Sequence, residues 1–307
     1  MVNIMKVNSE LARDPAAFAC AAGAAYQERI TSVAKELYAH REEHPVILIS
    51  GPSGSGKTTS ALKLEQMLDA WGCETHTLSM DNYFFPFTPQ EQRMAAQGLI
   101  DLESPARVDV GLLNAQLEAM IAGRAVSLPK YDFSRSARGY AGLTLQRKPG
   151  ELVIVEGIHA LNHDVVTIPQ ERTARLYVSV RTRLTDGDTV LHPSRIRLMR
   201  RMVRDRLYRG RSVAETMRLF ASVERGEQKY ILPHKHRATH EIDTFFDYEV
   251  NVYKPLLMDD LAALPEADQE RMADLMRVLG KAAPMPEAQV PADAMIREFI
   301  GNGQFAY

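Results

Sequence analysis

The segment GPSGSGKTT, Gly51 to Thr59, places glycines, hydroxyls and one ammonium group at the spacing G-x-x-x-x-G-K-[ST]. Gly51, Gly54 and Gly56 let the backbone turn its N–H groups inward around phosphate oxygens, with Pro52, Ser53 and Ser55 between them. Lys57 supplies a mobile positive charge for β- and γ-phosphates, Thr58 a hydroxyl ligand for Mg²⁺, and Thr59 continues a helix whose dipole favours anions. The chemistry fits ATP or GTP with Mg²⁺. It leaves open where the phosphoryl group goes, because GTPases, ATPase motors and small-molecule kinases share such a loop.

Two carboxylates stand where ligands of open α/β sheets collect. Glu156 ends the apolar run of VIVEGIHAL, at the C-terminal end of an expected buried strand, where it can hold Mg²⁺ directly or through water. Asp81 in SMDNYF follows another expected strand and can orient or deprotonate an acceptor hydroxyl; an Asx-turn residue is the alternative. Between residues 195 and 211 stand eight arginines and one acid, Asp205. At about 100° per residue, Arg197, Arg201 and Arg204 share an arc of roughly 60°, opposite Ile196, Met199, Val203 and Leu207. Gly210 ends this helix, and Ser212 with Glu215 forms a capping box for the next. The pair is expected to act as a hinged lid that brings arginines onto donor phosphates; a solvated basic face or a nucleic-acid patch is the alternative. His234, His236 and His240 lie among polar residues without metal-site spacing and read as a surface loop.

The elements that must position these groups follow from periodicity. Asp14-Pro15 starts a helix carrying Phe18, Tyr26, Ile30, Val33 and Leu37 at helical spacing, which Pro45 terminates. Val46 to Ser50 is a short buried strand into the glycines, and a helix from Lys57 sets Leu64, Met67, Leu68 and Trp71 on one face before Gly72. Further strands are expected at Glu74–Ser79, Leu152–Val155, Leu176–Val180 and Ile242–Phe246, with an irregular aromatic loop at Asn82–Thr88 and a helix at about Val110–Ile121. Strands separated by helices make an α/β fold, a parallel sheet with helices on both faces. The expected division is an N-terminal helical extension (1–44), one α/β domain (45–258, lid about 194–225) and a C-terminal helical extension (259–307).

Composition narrows the partners. Lys plus Arg number 37 against 39 acids, a net charge of -2, which argues against nucleic acid or a membrane surface as a general partner. With 45% hydrophobic and 25% charged residues, the 307-residue chain is long enough for a sizeable core. Cys20 and Cys73 form no disulfide framework, and no apolar run approaches the roughly 18 residues of a membrane span. A cytoplasmic location is expected.

In order, GPSGSGKTT, SMDNYF, LPKYDFSRSAR (128–138), VIVEGIHAL and RLMRRMVRDRLYRGRS (197–212) resemble the uridine kinase and phosphoribulokinase family of P-loop kinases, from about Val46 to Leu257. The likeness narrows to the kinase portion of larger bacterial proteins whose N-terminal part resembles threonyl-tRNA synthetase, a likeness shared by REFIG (297–301) and ERGEQKYILP (224–233). Only some 44 residues precede the kinase-like portion, so the synthetase-like region is expected to be absent. The resemblance implies a P-loop NTPase fold with a helical, arginine-bearing lid. It implies Asp81 as the acceptor-activating carboxylate, Glu156 as magnesium-associated, Lys57 with Arg201 and Arg204 on the phosphates, and Tyr131 in the nucleoside pocket. Glu103 falls where uridine kinases grip ribose hydroxyls with an aspartate, and Tyr83 and Arg138 join the substrate site on the same basis. Ser136 stands where animal-type uridine kinases carry a base-contacting histidine.

The implied activity is transfer of the γ-phosphate of ATP or GTP to a nucleoside 5′-hydroxyl, uridine or cytidine first, by a homo-oligomer. A kinase of another small alcohol, such as another nucleoside, a sugar phosphate or a pantothenate-like acceptor, is the alternative. A nucleotide-dependent, RNA-associated regulatory protein is the reading from a different class.

Overall fold

A computed structural model describes residues 1–305, the side chains of Ala96 and Ala141 excepted. Val2–Asn3 (β1) opens the chain, and Asn3 caps Ile4–Arg13 (α1) by accepting the Met5 N–H at 2.8 Å. Neither element is anticipated by periodicity, since β1 is two residues long and pairs with residues 184–185, far along the chain. Asp14 caps Pro15–Ala39 (α2) through Ala17, as its Asp-Pro start predicts.

Val46–Ser50 (β2) is buried throughout and leads into the glycine loop and Lys57–Ala70 (α3). The apolar face of α3 differs from the expected one: Leu64 and Leu68 are buried, but Trp71 is 36% exposed and packs edge-on against Tyr38. Thr75–Ser79 (β3) follows, then a short 3₁₀ turn over Met80–Tyr83, Pro89–Ala96 (α4) and Val110–Ile121 (α5). Val126–Asp132 (β4) and Ala137–Leu145 (β5) form an antiparallel hairpin whose turn holds Ser136 at φ 48°. Neither strand was expected, because exposed and buried positions mix along them.

Leu152–Glu156 (β6) and Thr173–Ser179 (β7) complete the centre of the sheet. Leu184–Thr185 (β8) and Val190–Leu191 (β9) form a small separate sheet with β1. Pro193–Arg209 (α6) and Val213–Gly226 (α7) are the arginine-bearing hairpin, with Gly210 in the left-handed region and the Ser212–Glu215 capping box formed. His240–Asp243 (β10) is the last strand, shorter than expected, before Glu249–Ala262 (α8), Glu266–Arg271 (α9), Ala273–Lys281 (α10) and Arg297–Ile300 (α11).

The main sheet has the order β10-β7-β2-β6-β3 and is wholly parallel. Because side chains alternate along a strand, Ile47 and Ile49 of β2 face one core while Val46 and Leu48 face the other. The first core takes in α2, α3, α6, α8 and the C-terminal helices; the second takes in α5, Met80 and Tyr83. Both terminal segments therefore share the core of the sheet. Tyr26 of α2 and Ser60 of α3 join their hydroxyls at 2.8 Å, and Asn8 of α1 accepts the Ala283 N–H at 2.8 Å.

Candidate active site

The C-terminal ends of β2, β3 and β6 open into a cleft of about 280 Å³, lined by the glycine loop, Asp81, Glu103, Glu156 and arginines of α6. The loop owes its course to its glycines. A Cβ on Gly51 would stand 1.9 Å from the Val178 carbonyl oxygen of β7, and Gly56 adopts φ +85°, a conformation that side-chain-bearing residues rarely take. Lys57 lies on the cleft wall, its ammonium donating to the Pro52 carbonyl at 3.3 Å. Thr58 lines the same wall, whereas Thr59 is buried and donates its N–H and hydroxyl to Glu298.

Asp81 and Glu156 are brought together by the pairing of β3 with β6, in which Ser79 lies opposite Glu156. Burial pushes the Glu156 carboxyl up to about 7, against the opposing pull of Lys57 and with the further push of Asp81. Asp81 is also held above the usual carboxylate range by burial, with Lys57 and Arg209 opposing. Glu103 shifts the same way and for the same first cause, opposed by Arg201 and Lys57. Crowded carboxylates beside one ammonium and the Thr58 hydroxyl form an all-oxygen donor set that suits a hard divalent cation such as Mg²⁺.

Of the eight arginines, three reach the cleft and two hold the loop from its other side, while Arg195 and Arg206 pair with Asp274 and Asp260. Arg201, Arg204 and Arg209 line the cleft. Arg201 donates to the Ser53 hydroxyl while its buried Nε has no hydrogen-bond partner among the described residues, and burial with the nearby Arg204 lowers its guanidinium to about 10. Asp205, wholly buried, is the shared counter-charge of Arg204, Arg209 and Arg211. Arg197 and Arg200 do not line the cleft but bind the backbone of the glycine loop, Arg197 at the Ser53 carbonyl (3.3 Å). Arg197 pairs with Glu227, and fully buried Arg200 donates to Glu249 (2.7 Å), the Thr244 carbonyl (2.7 Å) and the Gly54 carbonyl (3.1 Å). The expected arc of Arg197, Arg201 and Arg204 is thus split, and Leu207, expected on the apolar stripe, is 47% exposed. The helix that covers the loop is fastened to it through Arg197, Arg200 and Arg201.

Not every expected acceptor residue reaches the cleft. Phe84 lines it, with Tyr131 edge-on behind at 5.9 Å between ring centroids. Tyr83 is buried in the second core with its hydroxyl donating to Gln116 at 2.8 Å, and Arg138 pairs with Asp109 at 2.8 Å and donates to the Tyr83 carbonyl. Both support the cleft from behind its wall. Cleft residues to which the sequence assigns no role are Phe84, Leu102, Gly157, Ile158, Arg209 and Glu298. Phe84, Ile158 and Arg209 lie inside the motifs named above, and Glu298 lies inside REFIG, but its contact with Thr59, 239 residues away, has no local signal.

A parallel sheet whose glycine loop faces strand-end carboxylates and a helix of arginines defines a P-loop kinase fold, the fold of a phosphotransferase. Residues 46–251 match the phosphoribulokinase / uridine kinase family, and the chain belongs to it. The uridine kinase of Lactobacillus helveticus is 34% identical over 175 residues, 56% of this chain and 72% of that protein. The uridine kinase of Lactobacillus johnsonii is 31% identical over 200 residues, 64% of this chain and 86% of that protein. The solved structure of a possible uridine kinase from Bacillus stearothermophilus covers 70% of this chain and 98% of its own, at 19% identity and a TM-score of 0.44. Among the described residues, no helix is long and apolar enough to cross a membrane.

Proposed function

We propose that the chain transfers the γ-phosphoryl group of ATP or GTP to the 5′-hydroxyl of a nucleoside, with uridine or cytidine as first acceptor. The observation that carries this is the meeting of Asp81, Glu156 and Lys57 in one cleft walled by Arg201 and Arg204. The family supports phosphoryl transfer, and the two uridine kinases support the acceptor class.

In this reading the loop from Gly51 to Thr59 cradles the donor phosphates and Lys57 neutralises their terminal charge. Thr58 and Glu156 would hold Mg²⁺, which would neutralise charge on the donor phosphates. Asp81 accepts the acceptor hydroxyl proton as that oxygen bonds to phosphorus and the bond to the β-phosphate breaks, leaving a nucleoside diphosphate. A carboxyl raised above its usual range is a stronger base for this step than a free aspartate. Arg201 and Arg204 meet the charge on the transferring group, and Glu103 accepts hydrogen bonds from ribose hydroxyls. Phe84 presents the aromatic surface to the base, with Tyr131 supporting it and Tyr83 and Arg138 holding its segment. The finer likeness, to kinases joined to a threonyl-tRNA-synthetase-like segment, belongs to the same proposal, as do a cytoplasmic location and a homo-oligomeric state. The test is Asp81→Asn: it should bind ATP as the parent does and lose turnover by at least a hundredfold, in the ordinary range for a general base. Full turnover by this variant refutes the assignment of Asp81.

A further inference from the structure

The C-terminal segment enters the phosphate site. Glu298, on the single turn of α11, accepts the Thr59 hydroxyl proton at 2.6 Å and the Thr59 N–H at 3.3 Å through one oxygen, Oε2. Thr59 is the third residue of α3, so its amide belongs to the first turn, where N–H groups have no acceptor within the helix. Amides of this first turn, opening from a glycine loop, are the ones that take up donor phosphate oxygens. Glu298 also lines the cleft beside Lys57 and Glu156.

The turn that carries Glu298 is fastened from several sides. Buried Arg297 donates to the carbonyls of Glu287 (2.9 Å), Gly301 (3.1 Å) and Val290. Phe299 lies 5.2 Å beneath the Arg200 guanidinium, and Met295 is close enough to Gly56 that a Cβ there would be 2.8 Å from its sulfur. The segment thus reads the position of the loop at Gly56 and of α3 at Thr59 together.

We propose that Glu298 is an internal occupant of the anion seat at Thr59, which the phosphate chain of a nucleotide must displace, so that the 287–301 segment gates the donor site. The inference rests on the reading of the loop as the donor's seat. A phosphate oxygen and a carboxylate compete for the same Thr59 N–H and hydroxyl proton, and two anions at that distance repel. Binding therefore moves Glu298 off Thr59, and the contacts at Gly56 and Arg200 carry the movement into the segment.

The experiment is calorimetric titration of Mg·ADP into the full chain, its Glu298→Gln form and its Glu298→Ala form, with thermal melting as the folding control. Both variants should bind tighter, Glu298→Ala on the order of tenfold. In the parent chain, saturating Mg·ADP should speed amide hydrogen exchange over 297–301. A parent that binds Mg·ADP with folded variants that bind equally or more weakly overturns the inference and leaves the nucleotide reading standing. If parent and folded variants all fail to bind, the nucleotide reading falls and takes the inference with it. Slowed exchange over 297–301 also overturns the gate, since it makes Glu298 part of the closed donor pocket. Should Glu298→Ala melt early, Glu298→Gln, which keeps the side-chain shape, decides the affinity comparison.

Discussion

Replacing Arg200 with methionine removes the donor of five hydrogen bonds from a site with no solvent exposure: two to Glu249, two to Thr244 and one to Gly54. Burial alone would lower the guanidinium, yet the Glu249 carboxylate outweighs it and holds Arg200 above its ordinary value. Without Arg200, that carboxylate stays buried with, among the described residues, only the Tyr253 hydroxyl and the Phe246 N–H as donors. Breaking a buried pair in this way costs about 3–5 kcal/mol. With a urea slope of about 3 kcal/mol per molar, the unfolding midpoint should fall by between about 1 and 1.7 M. Adding Glu249→Gln removes the stranded charge and keeps an acceptor for Phe246. The double variant should therefore recover about 2 kcal/mol over Arg200→Met, a coupling within the range for contacting residues. Both variants also lose the donor to the Gly54 carbonyl, so both should bind ATP about fivefold more weakly, as expected from one hydrogen bond of about 1 kcal/mol. Urea melts with ATP titrations on the same samples give both numbers. A midpoint shift under about 0.3 M, or strictly additive single and double variants, would refute the view that this pair locks α6 to α8, and unchanged ATP affinity would refute the contribution of the Arg200–Gly54 bond.

Gly226→Ala should disturb the acceptor side alone: its Cβ would stand 2.4 Å from the Cβ of Glu103, so the Glu103 segment must shift. The expected result is a nucleoside KM raised roughly tenfold with ATP affinity unchanged, at a stability cost of about 1–3 kcal/mol, and an unchanged KM would contradict the placement of Glu103. His159 is buried with its imidazole lowered to about 4 by burial, with the Glu103 backbone and Asp101 pulling the other way and His234 adding to the fall; the Tyr230 ring packs against it. The unfolded chain therefore binds the extra proton between about pH 6.5 and 4, and stability falls with pH through that window, by about 2 kcal/mol between pH 7.5 and 5. Urea melts at the two pH values should show that much of the drop disappear in His159→Asn, and an identical drop would refute the assignment.

The glycine loop was legible because its chemistry is local: glycines, lysine and threonine act within nine consecutive residues, between a strand and a helix. Asp81 and Glu156 were legible as strand-end carboxylates, although their meeting needs the β3–β6 pairing that no single segment reveals. The arginine helix was only half legible. Periodicity could place Arg197 with Arg201 and Arg204, but Arg200 was invisible as a core residue because its partner Glu249 is supplied from another helix. The β4–β5 hairpin escaped notice because much of its second strand is exposed, and it lacks the alternation of a half-buried strand. Glu298 escaped because its partner Thr59 lies 239 residues earlier, so REFIG by itself shows nothing of the contact.

The central claim, that the cleft transfers a phosphoryl group to a nucleoside hydroxyl, is tested most directly by the product itself. The chain should be incubated with ATP or GTP and a nucleoside panel led by uridine and cytidine, and the phosphorylated product identified by mass spectrometry and phosphorus NMR. The account predicts a nucleoside 5′-monophosphate, formed by the parent and lost in Asp81→Asn. ATP binding with no nucleoside in the panel phosphorylated would contradict it.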